Sequence, residues 1–519
     1  MKAVMKLMLG SVLVLALAAA AAAQSPTPVV RMGDWVEIGD EVWMNVISAN
    51  TIRYATGHNW DLEGDIRDLT ASGSVTSSGN KFSGKADSFF AEIRLGADFR
   101  FQKNLRMRVL LEADSVFDGS LIDDQVNNPT DGGRNSVHVE RFWIDYRLPK
   151  TSLRMRVGAD LWCLDIACVV SDDDPGIKFF YNAGDFEART FIIVNQESAK
   201  LNNLTNDNDN IYYMLGGRYT GMKGHTFALD FLYDRDRFNQ IAAGRESDFY
   251  LFMPGWRGRF GPVSGFVEGL FGFGEVRTPD RDFDVANWAI LFGGELKIGK
   301  VTPFLGVIYA SGDDNANDTD LNGFNPVNHS DVHLISLGPF PDQDAPFYDL
   351  LAPCVGNSPL CGGAAGMHTI TNPFANAVGN TQHAGLDSEF SNPGIFTVMV
   401  GASVALHRQH RLDLWYNYVR WADSALIENQ ARAMPGVAAD FTIDESMYHN
   451  LGAKWTWTLN AHFNVQFTGN MVLAGAGMKD IASTVDCGGG GLEPGSLGFR
   501  GCSGDDVGLA GEIQFTGSF

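Results

Sequence analysis

From Arg94 the sequence RLGADFRFQKNLRMRVLLEADSVFD holds a period of two almost without error, broken only at Lys103-Asn104. Past that break Leu105, Met107, Val109, Leu111 and Ala113 share one face, and Arg106, Arg108, Glu112 and Asp114 share the other. A two-residue period is that of a β-strand whose two faces meet different surroundings. The unit returns at RFWIDYRLPKTSLRMRVGADLW, where Phe142, Ile144, Tyr146 and Leu148 oppose Arg141, Asp145 and Arg147. After Pro149-Lys150-Thr151 the pattern resumes, with Leu153, Met155 and Val157 against Arg154, Arg156 and Asp160. These are hairpins with tight turns.

Followed along the chain, the pattern places short connections near residues 103, 150, 184, 223, 261, 299, 409 and 460. Long polar segments fall near 58–86, 118–136, 161–175, 196–208, 237–245, 277–283, 312–393, 425–443 and 476–505. Short and long alternate strictly. The expected fold is all-β: a transmembrane antiparallel β-barrel of about 18 strands, with short periplasmic turns and long extracellular loops. The physical reason is that hydrocarbon offers no partner to backbone N–H and C=O groups, so a sheet crosses a bilayer only when closed on itself. Closure requires the last strand to pair with the first. The chain ends GEIQFTGSF, so Asp506–Phe519 is the expected closing strand, with Ile513, Phe515 and Phe519 toward lipid and Glu512, Gln514 and Thr516 toward the lumen. A final strand ending in Phe519 also resembles the signal read by the barrel-assembly machinery. Aromatics near the turns, such as Phe99, Phe101, Tyr219, Phe260, Trp455 and Trp457, suit an interfacial girdle but would equally suit the core of a secreted β-sandwich or propeller.

The opening MKAVMKLMLGSVLVLALAAAAAAQS has a basic start, an apolar run and a small-residue stretch, which reads as a signal peptide over residues 1–23 rather than a retained anchor. Residues 24–519 would then form one barrel, with segment 312–393 inserted as a long loop. The formal charge is −23; without Lys2 and Lys6, 37 basic residues face 62 acidic ones, a net of about −25. Nucleic acid is excluded as a partner by that sign. No stretch after Ser25 supplies the roughly 18 uninterrupted apolar residues of a membrane helix. The 35 Phe and 58 Gly suit short strands and many turns.

About 18 strands enclose an aqueous channel, so the polar face is expected to touch water. Arg100, Arg106, Arg108, Arg147, Arg154 and Arg156 lie close to short turns, whereas Glu92, Glu112, Asp114 and Asp160 lie farther along. Two readings stand side by side. The guanidinium forks form a path for anionic solutes, or they brace the wall by pairing with acids across strands.

Six cysteines form three close pairs, Cys163 with Cys168, Cys354 with Cys361 and Cys487 with Cys502, each within one long segment. An even count in an exported chain argues for three intraloop disulfides; a metal site or redox pair has no C-x-x-C behind it. In YASGDDNANDTDLNGFNPV, Asp314, Asp318 and Asp320 with nearby asparagines offer oxygen ligands for Ca²⁺, but their spacing is not that of an EF-hand and a solvated turn is the plainer account. No other cofactor is expected. Ser78-Gly79-Asn80-Lys81 matches S-x-x-K without its companion motifs, and no catalytic set can be assembled.

The loop SGDDN…D…FNP, together with RLGADFRFQKNLRMRVLLEAD and RVGADLW, resembles the alginate-export-type outer-membrane porins. That resemblance implies a monomeric 18-stranded barrel of the bacterial outer membrane, in contact with lipid and lipopolysaccharide, whose lumen carries an arginine-rich path for an anionic polysaccharide. On it Arg94, Arg106, Arg108, Arg141, Arg154 and Arg156 become lumen positions. The cysteine pairs and the net acidity depart from the family. The expected function is a channel for diffusion or export of hydrophilic, anionic, small or polymeric solutes. A barrel that holds a partner protein, or a receptor or adhesin built on the long loop, are the alternatives.

Overall fold

The computed structural model describes residues 34–39, 41–58, 85–116, 137–160, 162–163, 171–172, 175–196, 210–237, 246–315, 317–324, 391–432, 439–477, 479–480 and 507–518. Among these, eighteen strands make the wall. The first nine are β1 (Val42–His58), β2 (Lys85–Phe101), β3 (Leu105–Val116), β4 (Val137–Arg147), β5 (Leu153–Ala159), β6 (Pro175–Ala183), β7 (Phe186–Gln196), β8 (Asn210–Tyr219) and β9 (His225–Asp236). The rest are β10 (Glu246–Phe260), β11 (Val263–Arg277), β12 (Asp282–Leu296), β13 (Val301–Ala310), β14 (Ile395–His407), β15 (His410–Trp421), β16 (Ser446–Thr458), β17 (Phe463–Ala474) and β18 (Val507–Ser518).

Each pairs antiparallel with the next, and β18 returns to β1, from Leu509 opposite His58 to Ser518 opposite Ala49. The sheet is therefore closed. A short strand, Trp35–Gly39, pairs with the other half of β1, Trp35 opposite Asn45 and Gly39 opposite Val42, and so continues the row that β18 occupies. The eight short turns lie where the alternation predicts. Glycine with a left-handed backbone reverses the chain at Gly184 (φ 62°) and Gly261 (φ 59°), as two-residue hairpins demand.

One predicted long segment is short. Instead of a loop over 277–283, β11 and β12 are joined by Thr278–Arg281 alone. Thr278 N–H donates to the Arg281 carbonyl at 2.9 Å, and the Arg281 N–H returns a bond to Thr278 Oγ1 at 3.2 Å. The polar letters around this turn mislead because Arg277, Asp282 and Asp284 are strand residues at the wall's rim.

The faces are plainest in β12, where alternate residues are exposed and buried. Asp282, Asp284, Ala286, Trp288, Ile290 and Phe292 form its exposed row, acids at the rim and apolar residues below. Exposed apolar rows recur around the wall, with Leu95, Ile144, Leu215, Leu229, Phe271, Leu305, Leu414 and Phe515 among them. A closed sheet that turns its apolar side outward belongs in hydrocarbon. At the short-turn end Phe260, Tyr219, Trp455 and Trp457 are exposed, and Trp455 and Trp457 both stack on His410. These rings suit the interface. The protein is an outer-membrane β-barrel.

The opposite face departs from the expectation of a wholly polar lining. From β7 to β15, Ile193, Leu232, Phe249, Leu251, Met253, Leu270, Val276, Phe283, Leu291 and Val419 point away from the exposed rows and are almost completely buried. An apolar patch facing inward cannot stay in contact with water, so other parts of the chain must cover it. Part of the cover is visible. The foot of the long connection returns along β12, with Asp284 N–H donating to the Thr319 carbonyl (2.9 Å) and Asn287 Nδ2 to the Gly323 carbonyl (3.1 Å). It contributes the buried Leu321 and Phe324. Asn392 Nδ2 binds the Phe324 carbonyl at 3.2 Å, tying the connection's two feet together.

A helix unforeseen in segment 425–443, α1 (Ala425–Arg432), adds the buried Leu426 and Ile427. Asp423 caps it through the Ala425 N–H (2.8 Å), and Glu428 and Arg432 pair one turn apart (2.8 Å).

Candidate functional site: a basic face on the inner wall

Residues 94, 96, 98 and 100 of β2 alternate with the exposed Ile93 and Leu95 and so point inward. Register carries that face to Arg106, Arg108 and Glu112 on β3, to Arg141, Trp143, Asp145 and Arg147 on β4, and to Arg154 and Arg156 on β5. The eight arginines singled out in the sequence thus share one face.

Their partners divide them. Arg94 bonds Glu112 and lies 3.1 Å from Glu140. Arg108 chelates Asp98 with bonds of 2.6 and 2.9 Å. Arg156 joins Asp145 (2.9 Å) to Asp160, with its guanidinium 4.1 Å from the centre of the buried Trp143 ring. Arg141 is 3.8 Å from Glu140. Arg94, Arg108 and Arg156 brace the wall across strands, as one of the two sequence readings expects, whereas Arg141 pairs within its own strand. Asp98, which braces Arg108, was not singled out in the sequence, although it sits two residues before Arg100 on the same face; Asp145 was placed on the arginines' face without being assigned a partner.

The remaining four are freer. Arg100 lies over Trp35 (3.6 Å to the ring centre) and Arg154 over Phe180 (4.0 Å), with Asp145 3.7 Å from Arg154. Arg106 and Arg147 have no carboxylate within 4 Å among the described residues, and both are exposed. Register sets Arg100 directly opposite Arg106 and Arg147 directly opposite Arg154. Like charges directly opposite each other across strands destabilise a sheet. This end of the wall keeps two such pairs.

Farther round, Arg189 and Asp230 form a bidentate pair (3.1 and 2.7 Å) with side chains 5% and 1% exposed. They sit on β7 and β9 and meet across β8 because the residue between them, Gly216, is opposite both. A Cβ at Gly216 would collide with the Asp230 carboxylate. Lys178, equally buried, donates to the Asp160 carbonyl at 2.7 Å. Removing one member of a buried pair costs about 3–5 kcal/mol, because the other charge is left uncompensated. Asp230→Ala is therefore expected to lower the urea midpoint of the folded, heat-modifiable band sharply, whereas Arg189→Met with Asp230→Leu should recover most of the loss. Equal stability of the single variant and the parent would show that the pair carries no weight.

In the segment considered for Ca²⁺, oxygen atoms are used locally. Asp318 Oδ1 accepts the Asp320 N–H (3.1 Å), Asp318 Oδ2 accepts Asn315 Nδ2 (2.9 Å), and the Asp314 carbonyl accepts Asn429 Nδ2 (3.2 Å). Among the described residues no group of three or more His, Cys, Asp or Glu side chains is placed to hold a metal. Cys168, Cys354, Cys361, Cys487, Cys502, the Cys163 side chain, Phe519 and residues 1–23 lie outside the described residues.

The fold and the inner face define a class, the outer-membrane β-barrel with an inner wall that is basic on one side and packed on the other. No protein-family model matches the chain, and no curated protein matches its sequence. Among solved structures it is similar to Acinetobacter baumannii OccAB3 (12% identity, 91% of this chain and 99% of that one, TM-score 0.48) and OccAB2 (10%, 91% and 98%, 0.48). It is also similar to Pseudomonas aeruginosa OccK2 (OpdF) in complex with glucuronate (11%, 91% and 98%, 0.46). The barrel assignment rests on the strand register and its closure.

Proposed function

We propose that this outer-membrane barrel is a channel for hydrophilic, predominantly anionic solutes. One observation carries the reading: register sets Arg100 opposite Arg106 and Arg147 opposite Arg154, and among the described residues neither Arg106 nor Arg147 has a carboxylate within 4 Å. An anion passing along this wall would meet exposed guanidinium groups, while Arg94, Arg108 and Arg156 hold the wall's shape. Polymeric anions such as alginate fall within the same chemistry. In this reading residues 1–23 are an export signal, Phe519 addresses the chain to the assembly machinery, the loop cysteines form three disulfides, and the barrel works as a monomer against lipid and lipopolysaccharide.

The test is single-channel recording of the purified chain in planar bilayers. Discrete current steps from the chain alone are the expected result. A silent membrane containing correctly inserted, heat-modifiable protein would remove the channel reading in favour of a partner-holding barrel or a loop-borne receptor.

A further inference from the structure

The four arginines at the short-turn end of the basic face lie on four consecutive strands, Arg100 on β2, Arg106 on β3, Arg147 on β4 and Arg154 on β5. The two outer ones rest on aromatic rings. The guanidinium carbon of Arg100 is 3.6 Å from the centre of the Trp35 ring, and that of Arg154 is 4.0 Å from the centre of Phe180. These rings come from opposite flanks. Trp35 belongs to the short strand ahead of β1, where its register with Asn45, and that of Asn45 with Asp98, sets it on the arginines' face. Phe180 belongs to β6, directly opposite Arg154 and alternating with the exposed Phe179 and Tyr181.

In each like-charged pair, Arg100–Arg106 and Arg147–Arg154, the outer partner therefore leans on a ring at its own flank, away from the inner partner. A ring and a carboxylate hold a guanidinium with different consequences. A carboxylate binds it and cancels its charge, as Asp98 does for Arg108 at 2.6 Å. The face of a ring attracts the cation through its quadrupole and leaves the net charge in place. Trp143 also lies near Arg108 (5.4 Å) and Arg156 (4.1 Å), but those two are already bound to carboxylates. Arg100 has no carboxylate within 4 Å among the described residues, and the Asp145 that lies 3.7 Å from Arg154 is bonded to Arg156 at 2.9 Å.

The strand Trp35–Gly39 also has no part in closing the wall, since β18 pairs with β1 from Ala49 onward without it. What it contributes to this face is the indole under Arg100. We propose that Trp35 and Phe180 are positioning residues of the basic face, holding Arg100 and Arg154 apart from Arg106 and Arg147 without cancelling their charge, and so helping to set the preference for anions. The consequence for selectivity rests on the channel reading; the placement of the arginines does not.

Labelling of the full-length chain in detergent micelles with phenylglyoxal, an arginine reagent, followed arginine by arginine in peptide mass spectra, reads that placement without any current. Trp35→Leu is expected to raise the rate at Arg100 severalfold and leave Arg154 unchanged, and Phe180→Leu to do the reverse. Trp35→Phe keeps a ring and should hold Arg100 close to its original rate. Arg259, exposed at the same end with its Nε on the Gly261 carbonyl (3.0 Å), is the internal control. An unchanged rate at Arg100 in Trp35→Leu, or a rise shared by Arg259, would overturn the inference. Should that variant lose its heat-modifiable fold, Phe180→Leu decides by the same two outcomes at Arg154. In planar bilayers the reversal potential of Trp35→Leu should move toward the cation-selective side, because a guanidinium released from its ring can pair with Asp98 or Glu37 on the same face. An unmoved potential would strip the rings of their part in selectivity. A chain that labels as expected yet passes no current keeps the placement and loses the channel; one that conducts with unchanged labelling does the opposite.

Discussion

Replacing Arg106 and Arg147 together with glutamate is expected to turn the reversal potential of the channel under a salt gradient from the anion-selective sign to the cation-selective one. The net charge of −23 argues the other way, and magnitude decides between them. Acids farther from a permeating ion than a Debye length, about 8 Å at physiological salt, are largely screened. A permeating ion instead feels the charges on the wall it passes, where low-dielectric surroundings concentrate the field. On that wall Arg94, Arg108 and Arg156 are neutralised by Glu112, Asp98, Asp145 and Asp160. Among the described residues Arg106 and Arg147 have no carboxylate within 4 Å, so reversing these two changes the local balance by four charges at once. Cation selectivity in the unmodified protein, or indifference to the double substitution, would leave the arginines as wall braces only.

How much of this could be read in advance depends on the range over which the physics acts. Strand alternation is local, a matter of residues i and i+2, and eight tight turns lie where the break in period puts them. The closing contact was legible too, because a membrane sheet has no other way to satisfy its last strand. The packed half of the interior was not. Phe283, Val285 and Leu291 alternate with exposed residues as an outward-facing row would, and only the fold shows that both faces of β12 are largely apolar. The pair Arg189 and Asp230 lies 41 residues apart and depends on Gly216, whose role has no local signature. The helix α1 did have one, in Asp423, Glu428 and Arg432, hidden within a segment read by elimination as loop. As for the basic face, its positions were legible and its division into braces and free groups was not. Asp98 and Asp145 were visible in the same strands, but which arginine each would take is set by register.

Cutting the chain before β18, at residue 506, is expected to abolish the folded band in outer-membrane fractions and leave only the unfolded, protease-sensitive form. The reason is an accounting of backbone groups. β18 is bonded on both sides, to β17 from Phe463 opposite Gly517 to Leu473 opposite Val507, and to β1 from Ala49 to His58. Without it two strand edges of about ten residues each would face lipid, where each unpaired N–H or C=O costs several kcal/mol. That total far exceeds the 5–15 kcal/mol by which a folded protein is usually stable. The short strand Trp35–Gly39 cannot substitute, since it covers only residues 42–45 of β1 and leaves the stretch from Ala49 open. A point change separates lost pairing from lost length. Gln514→Pro removes one donor in the middle of β18, between Arg53 on β1 and Gln466 on β17, and should reduce assembly strongly, whereas Gln514→Thr at the same place should not. Full assembly of the truncated chain would show that the wall closes by a different pairing from the one between β18 and β1.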